Sequence, residues 1–168
     1  MKLDFTEKEF RDSLGLFATG IAIATTTDGT HRIGITINSF ASVSLDPPLV
    51  LFSVSRNLNS FNAFAQARGF AINVLRQDQV DLSARFARAG EDKWRQVDAH
   101  SGQHDGIIIR PSLASFDCRM HCRYEGGDHT IFVGEVTGLV TEGCDAPLIY
   151  YGSKYHQLAA AQEMVGAA

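Results

Sequence analysis

The sequence predicts a mainly β fold, an antiparallel barrel carrying accessory helices, on two observations. Strand-like segments outnumber helical ones, and consecutive strands are joined by short turns rather than by the long crossovers a parallel sheet needs. At 168 residues the chain is sized for one substantial core, so a single domain spanning 1–168 is expected.

The first element is a helix from about residue 7. Thr6 and Glu9 match a capping box, and Phe5 and Phe10 hold the positions of a hydrophobic staple. Phe10, Leu14 and Phe17 recur at helical spacing and give it one apolar face, read as packing. After Gly20 the pattern turns to strand: IAIATTT, a DGT turn and HRIGITI form a hairpin. The prolines of Asp46-Pro47-Pro48 exclude a helix, and LVLFSV follows as a strand. Phe61, Phe64 and Ala65, with Asn59 or Ser60 as cap, predict a short helix between Leu58 and Ala67. FAINVL restores a strand, and Leu82 and Phe86 mark another helix, entered through Asp78 as cap. Residues 90 to 106 are polar and irregular and read as a mobile loop. IIIR, ASFDCRMHCRY, TIFVGEVTGLV and PLIYY complete the strands, with a GGD turn before TIFVGEV.

ASFDCRMHCRY alternates most clearly: Phe116, Cys118, Met120, Cys122 and Tyr124 share one face. Four strand steps put Cys118 and Cys122 about 13 Å apart, beyond the roughly 7 Å a disulfide spans. Both read as core thiols, and Cys144, in EGCDAP, reads as exposed. TIFVGEV and LVLFSV are apolar on both faces. A small barrel has one inside, so their outer faces need a helix or a second subunit, and a homodimer is expected.

A net charge of −4 with interspersed signs points away from nucleic acid or an acidic membrane as partner. No apolar run reaches the ~20 residues of a membrane helix, and MKLDFTEKEF is too acidic for a secretory signal. A cytoplasmic protein with a small ligand is expected. The chain has no GxGxxG after a strand, no GxxxxGK[ST], no HExxH and no GxSxG, and its histidines are scattered, so no metal site is expected.

Two stretches could carry chemistry. Between residues 36 and 60, Thr36, Asn38, Ser39, Ser42, Ser44, Ser53, Ser55, Asn57, Asn59 and Ser60 interleave with Ile37, Phe40, Val43, Leu45 and Val54. Neutral donors among apolar walls suit a planar heteroaromatic ring with a phosphate tail, which Arg56 and Arg85 could neutralise. The same residues also serve caps and turns, and the residues alone leave both readings open. In GGDHTIFVGEV the glycines and Asp128 make a turn, but a turn does not require His129, whose tautomer or charge a neighbouring carboxylate can set.

FATGIAIATT, GITINSFASVSLDPPLVLFSV, FAINVL, LSARFA and GGDHTIFVGEV with PLIYYGSKY together resemble the flavin reductase family, over roughly residues 10 to 156. These are small NAD(P)H:flavin oxidoreductases that serve as reductase components of two-component flavin monooxygenases. The resemblance implies a split β-barrel of the FMN-binding type, an antiparallel Greek-key barrel, in a homodimer. It implies FMN or FAD, with NADH or NADPH as co-substrate and a flavin-dependent monooxygenase as partner. Ile35, Thr36, Ile37, Asn38 and Ser39, with Ser42, Val43 and Ser44, would lie along the isoalloxazine ring. Ser53, Val54, Ser55 and Ser60 would hold the ribityl chain and phosphate, with Arg85 at the phosphate or adenylate end. His129 would contact the nicotinamide nucleotide, as would Tyr150, Tyr151 and Gly152. The alternatives on the same barrel are an FMN-binding oxidase and a non-enzymatic flavin sensor or electron carrier.

Overall fold

The computed structural model describes residues 4–90, 92–143 and 145–159; Cys144, read as exposed, lies outside them. Helix α1 (Glu7–Leu14) begins at the expected capping box: the Thr6 hydroxyl accepts from the Glu9 N–H at 3.2 Å, and the Glu9 carboxylate from the Thr6 N–H at 2.7 Å. The Phe5 and Phe10 rings, 5.6 Å apart, form the staple. A short strand β1 (Thr19–Gly20) leads into the hairpin of β2 (Ala22–Thr27) and β3 (Arg32–Ile37). Its turn is held by the Asp28 carboxylate, which accepts from the Thr30 and His31 N–H groups at 2.9 and 2.7 Å.

Strands β4 (Ala41–Leu45) and β5 (Pro48–Ser55) form a second hairpin, followed by α2 (Phe61–Gln66), β6 (Gly69–Val74) and α3 (Val80–Phe86). Gln79, rather than Asp78, stands at the cap of α3 and makes no side-chain cap bond. The Asp78 carboxylate is instead bound by the Arg76 guanidinium at 2.6 Å, a stronger partner than a backbone N–H. Part of the segment read as a mobile loop is strand: β7 (Asp98–Ser101) pairs with β8 (Ile107–Arg110), whose three isoleucines are buried. Strands β9 (Ala114–Gly126) and β10 (His129–Thr141) make the longest hairpin, and β11 (Ile149–Tyr151) and β12 (Lys154–His156) join β1 in a small sheet. No helix of the described residues is long and apolar enough to cross a membrane.

The main sheet has the order β3-β2-β6-β9-β10-β5-β4, antiparallel throughout. Strand β5 lies beside β10 yet leads to β6 on the far side of β9, a Greek-key connection. The edge strands β3 and β4 are joined by only Asn38, Ser39 and Phe40. Such a link spans at most ~15 Å, so the sheet curls until its edges approach without closing by backbone hydrogen bonds. A side chain bridges the split: the Ser39 hydroxyl accepts from the Ser53 N–H at 3.0 Å.

Inside the curl, Phe52, Phe64, Phe70 and Phe132 are fully buried among Ala22, Ile35, Ile37 and Ile72. Phe64 comes from α2, which plugs the barrel interior. A second cluster on the other face, with Ile21, Ile23, Leu75 and Phe86, is covered by α3 and by Trp94 and Ala99. The alternation read along β9 breaks at His121. Met120 opposes Gly134 and faces inward, but Cys122 opposes Val133 and Tyr124 opposes Ile131, so a bulge turns Cys122 and Tyr124 to the outer face.

Candidate functional site

Beyond the start of β4, a cleft of about 310 Å³ opens between β3, the linker and the end of β5. Ile35, Ile37 and Val54 belong to the buried core and form its floor. Asn38 and Ser39 come from the linker, and Leu58 from the turn after β5. Across the antiparallel pair, His129 opposes Ser55 and Ile131 opposes Ser53, so Ser53, Ser55 and His129 stand on one face of the sheet and make a polar rim.

Local sequence explains how His129 reaches this rim. The link between β9 and β10 is two residues, Gly127 and Asp128, and Gly127 takes φ 71°, the glycine-first pattern of a type II′ turn. Arg56, at the end of β5, donates its backbone N–H to the Asp128 carbonyl at 3.0 Å and ties the turn to the rim. The Asp128 carboxylate lies 2.8 Å from His129 Nδ1, and this hydrogen bond holds its carboxyl below the usual value.

Several of the expected polar side chains are already engaged. The Thr36 hydroxyl donates to the Ser83 carbonyl of α3 at 2.6 Å, Ser39 bridges the split, and the Ser55 hydroxyl accepts from the Asn57 N–H at 3.4 Å. Among the described residues the Asn38 amide, the Ser53 hydroxyl and His129 Nε2 have no hydrogen-bond partner, and these are the polar groups left for a ligand.

The cleft gathers Ile35, Thr36, Ile37, Asn38, Ser39, Ser53, Val54, Ser55 and His129. Ser42, Val43 and Ser44 are on edge strand β4, outside the lining, and Ser60 precedes α2. Arg85 lines a separate basic cleft of about 600 Å³ with Arg88, Lys93 and Arg95, and donates to the Arg95 carbonyl at 2.9 Å. Tyr150, Tyr151 and Gly152 lie in and after β11 of the small sheet. That sheet approaches the cleft wall through Tyr155, whose hydroxyl is 3.1 Å from Ser83 Oγ on the helix that binds Thr36. Leu58 was not among the sequence candidates; its signal is an apolar residue alone in the polar turn Arg56-Asn57-Leu58-Asn59.

Comparison with known proteins gives a consistent picture. The sequence family described as "Flavin reductase like domain" matches residues 14–159. FMN reductase (NADH) SmoA of Agrobacterium fabrum is 43% identical over 148 residues, which cover 88% of this chain and 84% of that protein. The reductase component of the flavin-dependent trigonelline monooxygenase of Acinetobacter baylyi is 40% identical over 150 residues, and the chain spans only 48% of its length. Among solved structures, NADH:FAD oxidoreductase SgcE6 of Streptomyces globisporus, in complex with NAD and FAD fragments, is 32% identical with a TM-score of 0.88. The match covers 95% of this chain and 98% of that one.

Proposed function

The chain belongs to the flavin reductase family, and from that membership we propose that it uses NADH to reduce FMN or FAD and passes the reduced flavin to a partner monooxygenase. The observation that carries this reading is the make-up of the cleft, an apolar floor beneath a few neutral donors and one histidine. That donor set fits a planar ring with a carbonyl edge and calls for no protein nucleophile. Bound flavin supplies the hydride acceptor and the nicotinamide nucleotide the hydride. Leu58 gives apolar contact surface at the cleft, over a floor whose Ile35, Ile37 and Val54 side chains are packed into the core and hold the backbone there rigid. The Asn38 amide and Ser53 hydroxyl donate to the carbonyl edge, fixed dipoles that favour growing negative charge without rearrangement. His129 orients the nicotinamide nucleotide from the β10 side.

An open cleft with a neutral lining favours weak retention, which suits a flavin that must leave reduced. The relative named as a monooxygenase reductase component supports the same destination.

The protein acts as a homodimer. Helix–sheet packing among the described residues joins α2 to β2 and α3 to β2 and β3. Among the described residues no comparable helix packing is found on the outer face of β5, β10 and β9, where the half-buried Leu49, Leu51, Ile131 and Cys122 and the exposed Tyr124 surround the buried Val133. Because Ser53, Ser55 and His129 continue that face, a second copy covering it would also wall the cleft. The setting is cytoplasmic, where NADH is regenerated and free thiols such as Cys118 and Cys122 stay reduced.

The test is to mix purified protein with NADH and follow nicotinamide absorbance while FMN or FAD is added. Oxidation that rises with added flavin is expected. A protein that holds its flavin tightly and leaves NADH intact overturns the reading in favour of a sensor or carrier, and turnover without added flavin points to an oxidase.

A further inference from the structure

Asp128 Oδ1 lies 2.8 Å from His129 Nδ1, and the His129 side chain keeps 44% of its surface exposed at the cleft. In a neutral imidazole only one nitrogen carries hydrogen, and the partner of one nitrogen sets the character of the other. A carboxylate accepts and does not donate, so beside Asp128 it is Nδ1 that carries the hydrogen. Nε2, without a partner among the described residues, is left to the cleft as an acceptor.

We infer that Asp128 is a positioning residue: it locks His129 in the Nδ1–H tautomer, so that Nε2 takes a ligand group that donates a hydrogen bond. The inference rests on the hydride-transfer reading for the identity of that ligand. On a nicotinamide dinucleotide the donors are the carboxamide N–H and the ribose hydroxyls, whereas its phosphates largely accept. The Arg56 side chain pairs instead with Glu125 of β9 at 3.4 Å. The hydrogen bond from His129 holds the Asp128 carboxyl below its usual value, so the group facing Nδ1 is a carboxylate that accepts. The turn does not depend on the Asp128 side chain, since Arg56 holds its carbonyl.

The experiment compares the wild-type protein with Asp128→Asn and Asp128→Ala. Nitrogen-15 correlation spectra of the histidine rings read the tautomer, and steady-state kinetics separate NADH from flavin. Hydrogen on Nδ1 is expected in the wild type, moving toward Nε2 in both variants. KM for NADH should rise about three- to ten-fold, the worth of one hydrogen bond, with kcat, flavin KM and melting temperature unchanged, the signature of lost uniform binding. With reduced 3-acetylpyridine dinucleotide, which lacks the carboxamide N–H, a variant effect that vanishes identifies the carboxamide as the donor and one that persists identifies a ribose hydroxyl. Hydrogen on Nε2 in the wild type, or an unchanged KM for NADH in both variants, overturns the inference. A wild-type protein that oxidises no NADH at any flavin concentration overturns the hydride-transfer reading instead, while the spectra still decide the tautomer.

Discussion

Two side chains show how environment, rather than residue type, sets reactivity. Burial pushes the Cys118 thiol up to about 12, with the neighbouring Asp117 charge adding to the effect. Cys118 should therefore resist alkylation by iodoacetamide at mildly alkaline pH in the native protein and react once the chain is unfolded in urea; peptide mapping checks the difference. At the β2–β3 turn, hydrogen bonds from the His31 and Thr30 N–H groups bring the Asp28 carboxyl down from 3.8 to about 2. Its folded value lies below its unfolded one, so this contribution to stability is present above about pH 4 and is lost as pH falls through about 2. Carbon-13 titration of the Asp28 carboxyl should show the low midpoint, and Asp28→Asn should flatten the acid limb of stability against pH. The sequence disclosed residues whose partners lie nearby in the chain: Thr6 with Glu9, and Asp128 with His129. It could not disclose that the Thr36 and Ser39 hydroxyls are spent on Ser83 and Ser53, because those partners are brought in by the docking of α3 on β3 and by the curl of the sheet.

At the scale of elements, the hairpins and α2 follow from local patterning, but what fastens one element to another does not. Strand β8 is attached to the main sheet through Asn73, which is fully buried. Its amide donates to the Ile23 and Ile107 carbonyls at 3.2 and 3.1 Å and accepts from the Ile109 N–H and the Ser115 hydroxyl, both at 2.9 Å. Asn73→Ala strands these groups away from water and should cost about 3 kcal/mol, read as a lower urea midpoint with unchanged slope. A propensity scan sees an asparagine inside FAINVL as a weak strand residue; its value lies in contacts 34 to 50 positions distant. The β7 strand was illegible for a related reason. Asp98, His100 and Ser101 are exposed, and the strand exists because the edge of β8 offers it a ladder. The bulge at His121 is a third case, since nothing in an unbroken alternation announces where the face will switch.

At the scale of the whole molecule, two apolar surfaces are only partly covered by the described residues. Helix α1 buries none of its residues, and Phe10, Leu14 and Phe17 are 52%, 59% and 77% exposed, although they form the apolar face its sequence specifies. The other surface is the outer face of β5, β10 and β9. There the sequence was informative about need and silent about supplier, because apolar residues on both faces of LVLFSV and TIFVGEV demand cover without saying what provides it. The proposed second copy would account for both surfaces, and Leu51 tests it. Leu51 opposes Val133 and Ala41 and sits two residues along the same face from Ser53 of the cleft rim. Leu51→Asp would place an unpaired carboxylate in the middle of the joined faces, a position where central interface residues contribute ~2 kcal/mol or more. Since Val50 and Phe52, not Leu51, fill the barrel, the fold itself should survive, and circular dichroism should match the wild type. Sedimentation should show a dimer becoming a monomer, with association weakened about thirty-fold or more. Flavin affinity should fall with it, because the loss of the second copy removes one wall of the cleft. A wild-type chain that sediments as a monomer while binding flavin and turning over NADH would show that one copy suffices and that the exposed faces serve a different partner.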